Sequence, residues 1–375
     1  MRAVDPDKVE TPIGYVDLQR VRSNAKDIAS YCEKHGLNWR PHIKTHKSRE
    51  IARLQIDAGA TGITVATLRE AEVMSTLTED LLLAYPPVGD LKLKRLIQLP
   101  HELDLKVALD SAQVLKPLAA ACAAAERQVG ILIERDVGLG RVGVQSVEEV
   151  IRLADLAQEL DGVDFRGLMF YPGQIRMVEV EQDAHVREVA ALVEEMTVAL
   201  AKAGFVPDIV SGGSTPTLWR SHNYSGITEI RSGSSVFFDL EALRVGVASH
   251  DDLAYTVLAT VVSTAVHGGA VVDAGSKALS KEVRSAEGDY GVLFDRAEVT
   301  VKTLNEEHGV LDLSRTDWEP KIGDQVRIIP NHVCVSVNLQ DSLLAQDGDT
   351  HVMLNLEAKG RSLWADENLL SAHQN

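Results

Sequence analysis

Between about residue 38 and residue 245 the chain repeats one pattern eight times: a short apolar run, a polar break, then a stretch with helical spacing of apolar residues. The runs are LNWRPHI ending near residue 43, GITVA, LLLAY at 81–85, LKVALD ending near Asp110, VGILIERD ending at Asp136, VDFRGLMFY ending at Tyr171, DIVSGG and ITEIRSGS. Strands covered on both faces read as continuous apolar runs, and strands that alternate with helices pair in parallel. Eight such units predict an α/β fold, a closed (β/α)8 TIM-type barrel. An open doubly wound sheet fits less well, because no G-x-G-x-x-G follows the first run. Helix starts support the pattern. Ser48 suits an N-cap, and Thr67–Glu70 and Ser146–Glu149 have capping-box spacing.

After about residue 246 the pattern changes. YTVLATVVSTAV, AVVDAG, AEVTVKTL, QVRIIP and HVMLNLEA are β-rich, punctuated by glycine, with no long helical pattern among them. They predict a second, mostly antiparallel β domain. A chain of 375 residues exceeds one ordinary core, so two domains are expected. The expected division is a barrel over 14–246 and a β domain from 1–13 and 247–375. The run IGYVDL before the first helix suits either. Net charge is −17 with no basic block, which speaks against nucleic acid and anionic membranes as partners. No apolar run approaches the roughly 20 residues of a membrane span, and MRAVDPDKVETP lacks a signal core. Cys32, Cys122 and Cys334 are too few and too scattered for a disulfide framework. A soluble, cytoplasmic enzyme is expected.

In such a barrel the chemistry lies at the C-terminal ends of the strands. The first strand delivers Lys44, with His42 and His46 beside it. The fifth leads into RDVGLGRVGV, with Arg141. The sixth ends at Tyr171, the seventh in SGGST with Gly212, Gly213 and Ser214, and the eighth in EIRSGS with Arg231, Gly233 and Ser234. The last two loops are short, glycine-rich and hydroxyl-bearing, as barrel phosphate sites are. A lysine at a strand end suits Schiff-base chemistry. Lysine and phosphate site at one barrel mouth together suggest pyridoxal 5'-phosphate. Lys44 directly follows the apolar run and should point into the mouth. Lys47, at the helix start, should be the more exposed. His42 and His46 are candidate proton carriers, or else scaffold for the lysine loop.

RPHIKTHKS, VGLGRVGV, FYPG, SGGST, VVDAGSKALS, EEHG and PNHVC together resemble the D-threonine aldolase and D-serine dehydratase family, within the alanine-racemase-like class of pyridoxal phosphate enzymes. The resemblance runs from about residue 11 to the C-terminus. It implies a βα barrel plus a β domain, a homodimer, and a small D-amino acid as substrate. It matches Lys44 to the Schiff-base lysine and Arg141 to an arginine on the cofactor's phenolic oxygen. Tyr171, Gly212, Gly213, Ser214, Gly233 and Ser234 match cofactor and phosphate contacts. Arg231 resembles the arginine facing the pyridine nitrogen in alanine racemases.

A metal is the second expectation. His332 and Cys334 lie two apart in NHVCV, and on a strand they would face one side. Imidazole and thiolate together favour zinc. The resemblance places a divalent-metal pair here, zinc or else manganese or magnesium. Aldolases of the family tend to carry His and Asp, and dehydratases His and Cys. Aldol cleavage of D-threonine is the leading expectation, because the YPG and DAGSK segments resemble the aldolases. Dehydration of D-serine or D-3-hydroxyaspartate is the alternative, and racemisation a third, suggested by Arg231. Glu307 and His308 read as a solvated hairpin tip, and Asp273 and Lys277 as structural or rim residues.

Overall fold

A computed structural model describes residues 2–284 and 288–361. The expected β-domain range thus runs past them: residue 1, residues 285–287 and residues 362–375 lie outside the described residues.

All eight barrel strands are present: Asn38–Trp39, Ile63–Val65, Asp80–Leu83, Asp104–Leu109, Val129–Arg135, Val163–Phe170, Ile209–Gly212 and Glu229–Ile230. They pair in parallel in chain order. A parallel bridge between His42 and Thr64, with Thr64 N–H donating to the Pro41 carbonyl at 2.9 Å, joins the first strand to the second and closes the ring. Side chains alternate across each strand. Val107, Ile131, Ile133 and Leu168 face outward and pack under the helices. Each such buried aliphatic side chain contributes roughly 1.5–3 kcal/mol. Leu82, Ala108, Leu132 and Met169 face inward as one apolar layer. Two residues earlier on the strands, nearer their N-terminal ends, the interior is charged. Arg40 donates to Glu229 Oε2 at 2.9 Å and to Asp80 Oδ2 at 3.0 Å, and Lys106 reaches Asp80 and Asp104, each at 2.5 Å.

The helices begin where the sequence places caps. Thr67 Oγ1 accepts Glu70 N–H at 3.1 Å and Ser146 Oγ accepts Glu149 N–H at 3.2 Å. Ser48 stands at the start of Arg49–Asp57, but its side chain makes no capping bond. The first helix, Leu18–His35, starts on Asp17, stops at Gly36 with φ +65°, and buries Leu18, Val21, Ala25, Ile28 and Cys32 on one face.

The second domain is a ten-stranded sheet in which six strands close on themselves, because Tyr255–Ser263 pairs with both Gly269–Val272 and Gln325–Pro330. All its pairings are antiparallel except that of Ser342–Asp347 with Ile13–Asp17. Ile13–Asp17 also pairs antiparallel with Tyr255–Ser263. IGYVDL therefore belongs to the β domain, and the expected barrel start at residue 14 falls within one of that domain's strands. NHVCV is not the strand that the sequence suggested. The strand Gln325–Pro330 ends first, and Val333–Leu339 is a short helix that Asp239 caps by accepting Val333 N–H at 3.0 Å. Among the described residues no helix is long and apolar enough to cross a membrane.

Candidate active site

Strand ends of the barrel and the Val333–Leu339 helix of the β domain enclose a cavity of about 480 Å³. Of the expected site residues, His42, Lys44, Arg141, Tyr171, Gly213, Ser214, Arg231, Gly233, Ser234, His332 and Cys334 line it, whereas His46 and Gly212 do not.

Lys44 sits in a single tight turn, Ile43–Thr45, directly after the first strand. Its amine lies 5.8 Å from the centre of the Tyr171 ring, and the Arg141 guanidinium lies 5.0 Å from the same ring. Lys47 reverses the expected order of exposure. Its φ of +53° swings it away, and its amine donates to Asn338 Oδ1 at 2.9 Å and sits 3.7 Å from buried Glu70. Lys47 is partly buried, while Lys44 is exposed within the cavity wall.

The two neighbouring histidines part company. His42 Nδ1 is buried at the cavity and has no hydrogen-bond partner among the described residues. Burial, and then the charges of Lys44 and Arg231, hold this imidazole well below its ordinary range, so it is neutral near pH 7. His46 is fully buried behind the loop. Nδ1 accepts Ser48 N–H at 3.2 Å, and Nε2 donates to Gln55 Oε1 at 3.1 Å. With both nitrogens engaged, it is scaffold, not a proton carrier.

The seventh and eighth loops are stitched together by hydroxyls. Thr215 Oγ1 and Ser232 Oγ are 2.9 Å apart, Ser234 Oγ donates to Thr215 Oγ1 at 2.8 Å, and Ser232 Oγ donates to Ser235 Oγ at 2.7 Å. Gly233 permits the close approach: a Cβ there would lie 2.4 Å from the His42 carbonyl oxygen. Gly212 serves packing instead, because its missing Cβ leaves room for the Phe170 ring.

On the cavity floor lies Arg231. Nη1 donates to Ser211 Oγ at 2.6 Å and Nη2 to the Phe170 carbonyl at 2.8 Å. Ser211 Oγ in turn donates to Glu229 Oε1 at 2.6 Å, and Glu229 is held by Arg40. A buried chain thus descends from the cavity to the charged layer of the barrel. Burial draws the Arg231 pKa down to about 10, partly offset by Glu229 and Glu134, so it stays a cation. Glu134 also lines the cavity, 3.9 Å from Arg141, and burial pushes its carboxyl up. Sequence reading missed it by stopping at Asp136, although inward parity with Leu132 would have found it.

His332 and Cys334 come together at the cavity's far wall. Cys334 Sγ is 3.2 Å from Thr45 Oγ1, next to Lys44. Burial disfavours charge on both, but each raises the ionised form of the other, so the imidazole is drawn up and the thiol down. Asp239, Glu241 and His332 each place a ligand-type atom within 4.8 Å of the others. Glu241 is occupied by Arg284 at 2.7 Å and Arg176 at 3.5 Å. Asp239 and Glu241 escaped the sequence reading, since nothing local links them to residue 332. Lys277 and Glu307 form an exposed pair at 2.7 Å, and Asp273 accepts Thr260 N–H at 2.8 Å, so these belong to the rim and scaffold as expected.

Residues 16–241 match the alanine racemase N-terminal domain, and residues 254–345 match the serine dehydratase domain. A D-threonine aldolase of Arthrobacter sp. is 31% identical over 95% of this chain and 94% of its own. A D-threo-3-hydroxyaspartate dehydratase of Delftia sp. is 33% identical over 88% of this chain and 92% of its own. Among solved structures, a D-threonine aldolase from Filomicrobium marinum superimposes with TM-score 0.87 at 28% identity, covering 94% of this chain and 96% of that one. A cysteine-to-alanine variant of D-threo-3-hydroxyaspartate dehydratase, in the metal-free form, gives 0.85 at 30%, covering 94% and 99%.

Proposed function

Since this chain belongs to the D-threonine aldolase and D-serine dehydratase family, with an alanine racemase-type barrel and a serine dehydratase-type second domain, we propose that it is a lyase of D-β-hydroxy amino acids that uses pyridoxal phosphate and a divalent ion. The observation that carries the proposal is that Lys44 and the His332–Cys334 pair wall the same cavity.

The residues present fit both groups. The two hydroxyl-bearing loops offer uncharged donors to a phosphate, and Gly233 lets the eighth loop lie close against the His42 carbonyl. Lys44 would tether the cofactor. Arg231 would donate to its ring nitrogen and Arg141 to its phenolic oxygen, and His42 brings an unpartnered buried nitrogen to the same wall. His332 and Cys334, imidazole and thiolate, would hold a zinc-like ion. When bound, pyridoxal phosphate supplies an electron sink for charge at the α-carbon, and the ion supplies Lewis acidity at a β-hydroxyl.

The chain's own groups do the rest. Arg231, which can donate but has no lone pair to accept a hydrogen bond, would meet the ring nitrogen only in its unprotonated form, which would keep the sink weak. Lys44, on the cavity wall, would take or return a proton at the α-carbon when its amine is free. Neutral His42 offers its buried Nδ1, without a partner among the described residues, as a hydrogen-bonding group on the same wall. In aldol cleavage the β-hydroxyl loses its proton and the Cα–Cβ bond breaks, giving glycine and an aldehyde. In dehydration Lys44 takes the α-proton and hydroxide leaves Cβ, giving ammonia and a keto acid after hydrolysis. We take aldol cleavage of D-threonine as the leading activity, supported by the chain-long likeness to D-threonine aldolases. Dehydration is the second reading. It is favoured by Cys334, the thiol of the proposed metal pair; a cysteine-to-alanine variant of a related dehydratase has been solved in the metal-free form. As part of the same proposal the enzyme works as a homodimer, which sedimentation of the purified chain tests.

Product analysis with D-threonine, D-serine and D-threo-3-hydroxyaspartate, with and without a chelator, tests the proposal. Glycine and acetaldehyde from D-threonine support the aldolase, and keto acid with ammonia supports the dehydratase. Loss with chelator and recovery with zinc or manganese is expected in either case. No turnover of any of the three refutes the lyase.

A further inference from the structure

Asp239 ends the loop that follows the eighth barrel strand, and the residue is 3% exposed. It accepts three hydrogen bonds. Oδ1 takes Ala242 N–H at 3.0 Å and so caps the helix Leu240–Val245. Oδ2 takes Val333 N–H at 3.0 Å and lies 3.1 Å from His332 Nδ1. One barrel carboxylate therefore grips both the ring of His332 and the backbone that leads into Cys334. Only a carboxylate can do this. An amide presents an N–H at one end, and there it would face Ala242 N–H, or else Val333 N–H and the ring.

Building on the reading of His332 and Cys334 as a metal pair, we propose that Asp239 is a positioning residue that fixes His332 as the Nδ1–H tautomer and leaves Nε2 to bind the ion. A ring nitrogen that donates to a carboxylate has its proton placed there, and the other nitrogen carries the free lone pair. The same bond orients the ring and makes Nε2 a better donor. Asp239 is not itself a ligand, because both oxygens are already engaged by donors. Glu241 is neutralised by Arg176 and Arg284. The proposed positioning spans the two domains: the ligands ride on the β domain, and the group that aims them is anchored on the barrel.

Zinc affinity of the cofactor-loaded protein, measured by competition with a chromophoric chelator, tests this. D239N is expected to bind zinc more weakly by roughly 10- to 100-fold, with the cofactor's visible band unchanged. H332A and C334S are expected to lose zinc outright. If the wild type binds no zinc, or H332A and C334S bind it as well as the wild type, the metal reading falls and this inference with it. If H332A and C334S lose zinc while D239N keeps wild-type affinity, the metal reading stands and the positioning role is overturned. If D239N loses zinc while C334S keeps it, Asp239 is a ligand and the proposal is again overturned. Should D239N fail to fold, nitrogen-15 histidine NMR of the zinc-loaded wild type decides. A protonated Nδ1 with zinc on Nε2 of His332 is expected, and zinc on Nδ1 with a protonated Nε2 overturns the inference.

Discussion

Replacing Ser211 by alanine interrupts the buried chain that descends from Arg231. The substitution deletes two hydrogen bonds of 2.6 Å, one given to Glu229 and one received from Arg231. Hydrogen bonds to charged groups contribute about 1.5–3 kcal/mol each, and a charged group left bare in the interior loses at least that. Two such bonds set a span of roughly 3–6 kcal/mol. Glu229 keeps Arg40 and Arg231 keeps the Phe170 carbonyl, so the cost should lie at the lower end, about 3 kcal/mol. Urea unfolding followed by circular dichroism measures it, provided the slope matches wild type so that the midpoint shift reads as stability. The freed guanidinium should also shift the absorption of bound pyridoxal phosphate. A loss below about 1 kcal/mol with an unchanged spectrum would show that Ser211 does not couple Arg231 to the charged layer.

Lys44→Ala should abolish the visible band of the bound cofactor, whereas Lys47→Ala should keep it; survival of the band in the first variant refutes the assignment. Gly233→Ala pushes a Cβ to 2.4 Å from the His42 carbonyl, an overpacking of roughly 1–3 kcal/mol, so equilibrium dialysis should show cofactor affinity falling about tenfold or more. His46 is held down to about 4 by burial. Between the ordinary value of 6.5 and that point, the unfolded chain takes up a proton that the folded one refuses. Stability therefore falls by up to about 3 kcal/mol as pH drops from 6.5 toward 4, and is unaffected by this group above 6.5. His42 adds in the same direction, and a urea midpoint that stays flat from pH 7 to 4.5 would contradict both. Iodoacetamide should label Cys334 on the cavity wall and spare Cys32 and Cys122, which are 3% and 0% exposed, and added zinc should protect Cys334.

The barrel was legible because its signal is periodic and local. Eight apolar runs with helical stretches between them leave few architectures, and a cavity lined by residues at the strand ends follows from that geometry. The same rule applied one step further, counting inward parity along each strand, would have named Glu134 and Glu229. What was not legible depends on partners far away in the chain. His46 and His42 look alike in PHIKTHK, and only the Gln55 side chain and the cavity wall tell them apart. Lys47 was misjudged because its left-handed φ is invisible in the letters. His332 and Cys334 were paired on the assumption of a strand. They meet instead at the start of a helix, whose cap, Asp239, comes 94 residues earlier.

The placement of Ile13–Asp17 sets an order of events. Its partners at 255–258 and 343–346 are synthesised only after the entire barrel. The β domain is a clasp opened at the first strand and shut near the last. Contacts of such long sequence separation form late and slowly. A growing chain therefore completes Lys44 and the two hydroxyl-bearing loops well before His332 and Cys334 arrive. On the proposed reading the tether and the phosphate loops come first, and the site is whole only once the clasp shuts.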